Sequence, residues 1–499
     1  MVNLNWKGKN ELKDIFSKTH ENKPFQIIDV YHFPKYNFKT EKNRENLLIW
    51  GENKVVMNTL LRRFENKLSL IYIDPPFATG GDFNLKIQIG EEGYFLDNIA
   101  YKDKWEEGLD SYLNFLYERL ILMKKLLASQ GSIYIHVDWH MSHYVKLIMD
   151  EIFGIENFRN EIIWAYPAAS VKTRRFFIRS YDTIFFYSKS DNYVFNDDPY
   201  IYMEYSNRVK DALKKDEHGI FYYRGGSHNG KKLSRKVYVE QNGIFPRDVW
   251  NDIPYIRANT SEYQGFSTQK PERLLKRIIL ASTNERDIVA DFFCGSGTTL
   301  AVAEKLGRHW IGCDLNKHAI HMTKKRLLNL SQSNDILNWK KKYLRNPRSF
   351  IILAIENENK KISIPTMFLD NTKKEENALL IEDSPNLNVK IHQNGNKIRI
   401  ELINYKIPFT NLISDKIKGK IKSFSDWIDY WAIDFDYQIN EFKNMWFSFR
   451  TPKNRKISLK SDLFQYHKSG SFHILVKTID IFGIEVTKKY DINVISSVP

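Results

Sequence analysis

The stretch Leu70–Gly80, LIYIDPPFATG, constrains the chain most, because a run of strand-forming residues stops against an acid and two prolines. Leu70, Ile71, Tyr72 and Ile73 read as a buried strand of a parallel sheet. Pro75 and Pro76 have no backbone N–H, so the ladder cannot pass them. Asp74-Pro75-Pro76-Phe77 is therefore a rigid loop at the carboxyl end of a strand. In an open α/β sheet, ligands bind at that end.

The surroundings predict such a sheet. Residues 46–165 alternate strand-like and helix-like segments. NLLIW, SIYIHVDW, EIIWAY and, beyond them, DTIFFYS read as strands. VVMNTLLRRF reads as a helix, DSYLNFLYERLILMKKLLASQG as a long helix closed by Gly131, and HYVKLIMDEIFG as one closed by Gly154. Residues 1–45 form an N-terminal extension. Residues 166–260 lose the long periodicity and interleave basic residues with aromatics and glycines, as in VKTRRFFIRS and GKKLSRK, so they read as an insertion. The α/β pattern resumes over 261–345. Residues 346–499 read as a β-rich, sandwich-like domain with a corner tyrosine at Tyr466. The Trp-rich stretch from Ser423 to Arg450 reads as part of its core.

Composition narrows the function classes. A formal charge of +15 over 499 residues, with 14% aromatics, suits a polyanionic partner. The only cysteines, Cys294 and Cys313, exclude a disulfide framework, argue against a cysteine zinc site and read as buried fillers. The first residues carry no signal-peptide core, and no run of about 18 apolar residues occurs, so a cytoplasmic protein without a membrane span is expected. His136 reads as a packed strand histidine.

A second motif lies far along the chain. DIVADFFCGSGTTLAVA predicts a strand, a loop at Gly295, Ser296 and Gly297, and a helix from about Thr298. Small residues allow close backbone approach, and a helix start offers free N–H groups. Alone this loop reads equally as a tight strand–helix turn, since the third glycine of the dinucleotide fingerprint is missing. Asp314 ends the next strand about 20 residues on, where an acid accepts hydrogen bonds from ribose hydroxyls, and so points to a nucleoside-containing cofactor.

The two motifs together resemble amino-methyltransferases that use S-adenosyl-L-methionine. Their order, with D-P-P-F first, an insertion next and F-C-G-S-G-T-T last, resembles the circularly permuted beta group of DNA methyltransferases. The resemblance covers roughly residues 40–335. IWGEN, LIYIDPPFATG and DVWNDI look most like modification subunits of type III restriction systems, whose partner is a separate helicase–nuclease subunit. It implies a Rossmann-like α/β fold with a mixed seven-stranded sheet and an inserted target-recognition domain. Its cofactor residues map to Asp291, Phe292, Phe293, Cys294, Gly295, Ser296, Gly297, Thr298 and Thr299, to Asp314 and Asn316, to Thr268, Lys270 and Pro271 of the T-x-K-P motif, and to Glu52.

The resemblance gives the first loop its chemistry. An exocyclic amine on a base is a poor nucleophile, because its lone pair is delocalised. Asp74 and the Pro75 carbonyl each accept an N–H, Pro75 and Pro76 hold these acceptors ready, and Phe77 stacks on the base. Direct transfer needs no metal. An amine inside a duplex must first be flipped out. An acid in the first position favours adenine N6 over cytosine N4. Lys172, Arg174, Arg175, Arg179, Lys231, Lys232, Arg235 and Lys236 are the candidates for contacting double-stranded DNA; a solvated basic surface is the plainer reading. Other readings are a cytosine-N4 enzyme, an RNA base methyltransferase, and a DNA-binding specificity subunit without catalysis. Protein glutamine methyltransferases place the glycine loop first and carry Asn in place of Asp. A homodimer is expected by analogy with the beta group.

Overall fold

The computed structural model describes residues 4–10, 23–33, 46–105, 108–166, 175–228, 231–239, 243–355, 362–365, 378–381, 384–438 and 441–495. Its centre is one large sheet. The strands are β1 (Phe25–Tyr31), β2 (Asn46–Trp50) and β3 (Leu68–Ile73); then a separate hairpin, β4 (Asp82–Ile89) with β5 (Tyr94–Lys102); then β6 (Leu127–Val137), β7 (Phe158–Ala165) and β8 (Tyr181–Ser188). A small sheet follows, β9 (Lys214–Asp216), β10 (Gly219–His228) and β11 (Lys231–Tyr238). The main sheet is completed by β12 (Val249–Trp250), β13 (Ile288–Asp291), β14 (His309–Asp314) and β15 (Phe350–Ile355).

The main sheet has ten strands in the order β1-β15-β2-β14-β13-β3-β6-β8-β7-β12. Seven were expected; β1, β15 and β12 extend them at the two edges. The run from β15 to β6 is parallel, while β8 pairs antiparallel with both β6 and β7. The sheet is mixed, as expected. Parallel strands are covered on both faces and read as unbroken apolar runs. Leu70, Ile71, Tyr72 and Ile73 fit this pattern, each at most 2% exposed.

The longer helices are α1 (Asn53–Phe64), α2 (Leu109–Leu126), α3 (Ser142–Phe153), α4 (Glu272–Ser282), α5 (Thr298–Lys305) and α6 (Lys317–Leu328). The long helix ends at Leu126, before the expected stop at Gly131. Leu127 already pairs with Leu68 of β3, so the sheet takes over the backbone there. Gly131 lies inside β6, where a Cβ would fall 2.7 Å from the Leu68 carbonyl oxygen. Gly154 closes α3 at φ 94, as expected.

The C-terminal part forms two facing sheets. Strands at 386–394, 397–406 and 464–465 make one, and strands at 446–449, 428–434, 470–480 and 485–494 the other. Ile398, Ile400, Trp431, Ile474 and Val476 fill the space between them. Tyr466 is buried and donates to the Phe435 carbonyl at 2.6 Å. The sandwich is docked on the main sheet. Lys477 Nζ reaches Asp29 Oδ1 of β1 at 2.7 Å, and Tyr31 and Tyr430 join hydroxyls at 2.9 Å. Asp429 takes His321 Nε2 at 2.7 Å and Lys325 Nζ at 2.5 Å, both from α6. The β4–β5 hairpin packs Leu85, Ile87 and Ile89 into the same apolar cluster as Trp427 and Trp431.

Candidate active site

β3 and β13 are neighbours, with Ala290 opposite Ile71. This pairing brings the D-P-P-F loop beside the glycine loop. Both strands end on a cavity of about 490 Å³. Of the residues singled out from the sequence, it is lined by Glu52, Asp74, Pro76, Thr268, Lys270, Asp291, Phe292, Phe293, Cys294, Gly295, Ser296, Thr298, Thr299, Asp314 and Asn316. Pro75, Phe77, Pro271 and Gly297 do not line it.

Each loop has a local cause. Gly297 caps α5 at φ 72, and a Cβ there would lie 2.6 Å from Thr323 Cγ2. Its lack of a side chain serves the docking of α5 against α6. Gly295 has φ 48, and its N–H donates to Asp314 Oδ2 at 2.9 Å. Asp314 Oδ1 accepts from Asn316 N at 2.8 Å. Burial raises the pKa of Asp314, against these backbone hydrogen bonds. Burial also pushes Asp291 up to about 7, although Thr299 Oγ1 at 2.6 Å and Phe293 N at 2.9 Å favour its charged form. Both thiols are buried, and burial holds them well above the usual range.

The D-P-P-F loop is held by a residue the sequence reading missed. Asp103, fully buried, accepts from the backbone N–H groups of Phe77 (3.2 Å), Ala78 (2.9 Å) and Thr79 (2.8 Å), and from Thr79 Oγ1 (2.9 Å). Ala78 sits at φ 54, a left-handed conformation that costs a side chain about 1–2 kcal/mol. Four hydrogen bonds to one carboxylate hold it there. Of the Asp74 carboxylate, Oδ2 pairs with Lys270 Nζ at 2.5 Å. Oδ1 is buried and has no hydrogen-bond partner among the described residues.

Beneath Phe77 lies a polar chain. The Phe77 and His136 rings stack at 6.2 Å. His136 is fully buried between Tyr72 Oη at Nδ1 and Asp182 Oδ2 at Nε2, both 2.9 Å. Burial alone would raise Asp182, but the hydrogen bond and charge of His136, with the charge of Lys270, hold it below the usual carboxylate range. His136 is packed, as expected, and it also backs the Phe77 ring.

A family model of DNA methylases matches residues 68–325, just over half of the chain. The chain belongs to this DNA methylase family. It is 31% identical over 324 residues to the type II methyltransferase M.EcaI of Enterobacter cloacae, a match spanning 56% of this chain and 69% of that protein. It is 32% identical over 261 residues to the DNA adenine methyltransferase YhdJ of Escherichia coli, spanning 52% and 76%. A probable type III HindVI Mod subunit of Haemophilus influenzae is 26% identical over 378 residues, spanning 54% of this chain and 48% of that one.

Glu52 has a structural task as well as a place on the cavity. It caps α1 through Val55 N at 2.9 Å and forms an ion pair with Arg119. Neighbouring Asn53 donates to the Phe292 carbonyl at 3.0 Å and accepts from Arg119 Nε at 2.6 Å. Tyr101, Phe115 and Phe266 also line the cavity, and no local pattern marked them. The basic candidates are scattered. Arg175 and Arg179 precede β8, and Arg235 and Lys236 lie on β11, where Lys236 pairs with Asp216 at 2.8 Å. Lys172, Arg174 and the side chains of Lys231 and Lys232 lie outside the described residues. No helix among the described residues is long and apolar enough to cross a membrane.

Proposed function

We propose that the protein methylates N6 of a flipped-out adenine in double-stranded DNA, with S-adenosyl-L-methionine as donor, as the modification enzyme of a restriction–modification system. The observation that carries this is Asp74 Oδ1, a buried, unpartnered acceptor on the wall of the cavity that the glycine loop also lines. A buried polar atom without a partner is costly, so it points to a ligand donor.

The residues fit the donor. Phe292–Ser296, Thr298, Thr299, Asp314 and Asn316 line a cavity of about 490 Å³, and Asp291 offers an acid to a cationic ligand. The bound cofactor supplies an electrophilic methyl group on a sulfonium. Asp74 Oδ1 accepts one N–H of the adenine amine, and the Pro75 carbonyl accepts the other. These contacts favour a pyramidal nitrogen whose lone pair faces the methyl group. As nitrogen takes the methyl group, the C–S bond would break to leave a neutral thioether, and the surplus proton on nitrogen passes to Asp74 Oδ1. Phe77, backed by His136, stacks on the base. Lys270 holds the other oxygen of Asp74, so the free one keeps its orientation.

The same reading makes the motif order a circular permutation of the methyltransferase core, and residues 166–260, apart from the core strands β8 and β12, its target-recognition insertion. It places Arg175, Arg179, Arg235 and Lys236 on phosphates, in a cytoplasmic protein that acts as a homodimer. The match to Mod subunits supports a helicase–nuclease partner. The test is methylation-sensitive long-read sequencing of DNA from a host expressing the wild-type protein or Asp74→Ala. N6-methyladenine at one short motif in the wild type alone is the expected result. N4-methylcytosine would sink the base assignment.

A further inference from the structure

The residues leading into β8 put apolar rings into water. Phe177 is 97% exposed, and Trp139, Phe176, Ile178 and Tyr181 are exposed around it. Arg179 links two of them, its guanidinium 3.8 Å from the Trp139 ring centroid and 5.6 Å from that of Phe176. Exposed apolar clusters of this kind mark contact surfaces.

Its place is set by the sheet. Trp139 lies two residues beyond the end of β6 at Val137, and Thr183 of β8 pairs with Val137. The Ser180 carbonyl is held by Tyr166 N at 2.9 Å. The cluster therefore stands at the carboxyl end of β6, the same end of the sheet at which parallel β3 runs into the D-P-P-F loop. Arg175 and Arg179 flank the rings, on a chain of charge +15. A partner that offers phosphates beside stacked rings fits both features, and duplex DNA is that partner.

We propose that Phe177 enters the duplex at the target base pair and fills the space left by the extruded base, with Arg175 and Arg179 on the flanking phosphates. This rests on the reading of the protein as a base-flipping DNA methyltransferase. A fully exposed ring can be removed without disturbing the fold. The experiment measures single-turnover methyl transfer by the full chain, as wild type, Phe177→Ala and Phe177→Trp. One duplex carries a paired target adenine, and a second carries an abasic site opposite that adenine.

Phe177→Ala should lose roughly 10- to 100-fold on the paired target, since aromatic stacking on a base is worth about 1–3 kcal/mol. It should recover most of that loss on the abasic duplex, where no pair has to be opened, and Phe177→Trp should stay close to wild type. An equal loss on both duplexes, or no loss on the paired one, overturns the wedge and leaves the methyltransferase reading standing. A wild type that transfers to neither duplex overturns that reading and the wedge with it.

Discussion

Lys270 Nζ lies 2.5 Å from Asp74 Oδ2, although 196 residues separate them in the sequence. The contact joins the T-x-K-P segment to the D-P-P-F loop and orients the buried carboxylate, leaving Oδ1 toward the cavity. Lys270→Met should lower methyl transfer by about 100-fold, the scale of losing one preorganised group at a reacting centre. Asp74→Asn should cost at least as much. Single-turnover rates with cofactor binding measured in parallel check this: loss of binding comparable to the loss of rate would place Lys270 on the cofactor instead.

Asp103 should behave as a positioning residue. Its carboxylate holds three consecutive backbone N–H groups of the D-P-P-F loop. Asp103→Asn keeps the shape but removes an acceptor, so kcat should fall by about 10- to 100-fold, as expected for a misplaced loop, while cofactor affinity changes little. Asp103→Ala should also lower stability, by about 3 kcal/mol, through unmet buried N–H groups. Urea titration together with equilibrium dialysis separates the two effects.

Asp291 predicts a pH dependence. Burial raises its pKa to about 7 in the free protein, from the usual value of 3.8. The folded chain therefore binds more protons than the unfolded one between these values, and this group's contribution to stability falls as pH rises from about 4 to 7. A cationic ligand beside it favours the carboxylate. S-adenosyl-L-methionine should therefore bind more tightly as pH rises toward 7, and level off above it, with proton release on binding. Calorimetry in buffers of different ionisation enthalpy measures that release, and Asp291→Asn should abolish it.

The sandwich should depend on one buried ion pair. Asp29 and Lys477 meet at 2.7 Å with both side chains 3% exposed. Lys477→Met leaves a buried carboxylate without that partner and should cost about 3–5 kcal/mol. Adding Asp29→Asn should restore much of the loss. Chemical denaturation of the single and double variants checks it.

How much of the site was legible depends on the range of the interaction concerned. Asp74 and the glycine loop were visible because each motif sits on its own strand and turn, where residue type and chain direction act over a few positions. Asp103 and Tyr101 were not, because nothing within a few residues of them differs from an ordinary strand end or surface turn. Their roles come from what folds against them.

The sequence by itself determined the alternation of strand and helix, the breaks at Pro75 and Gly154, and the two loops that line the cavity. These follow from backbone sterics and from apolar periodicity, which are local. Only the tertiary structure decided that β3 lies beside β13, that β1 and β15 extend the sheet, and that Lys270 meets Asp74. Strand order and buried ion pairs depend on which surfaces exclude water together, and that is settled across the whole chain rather than within any one segment of it.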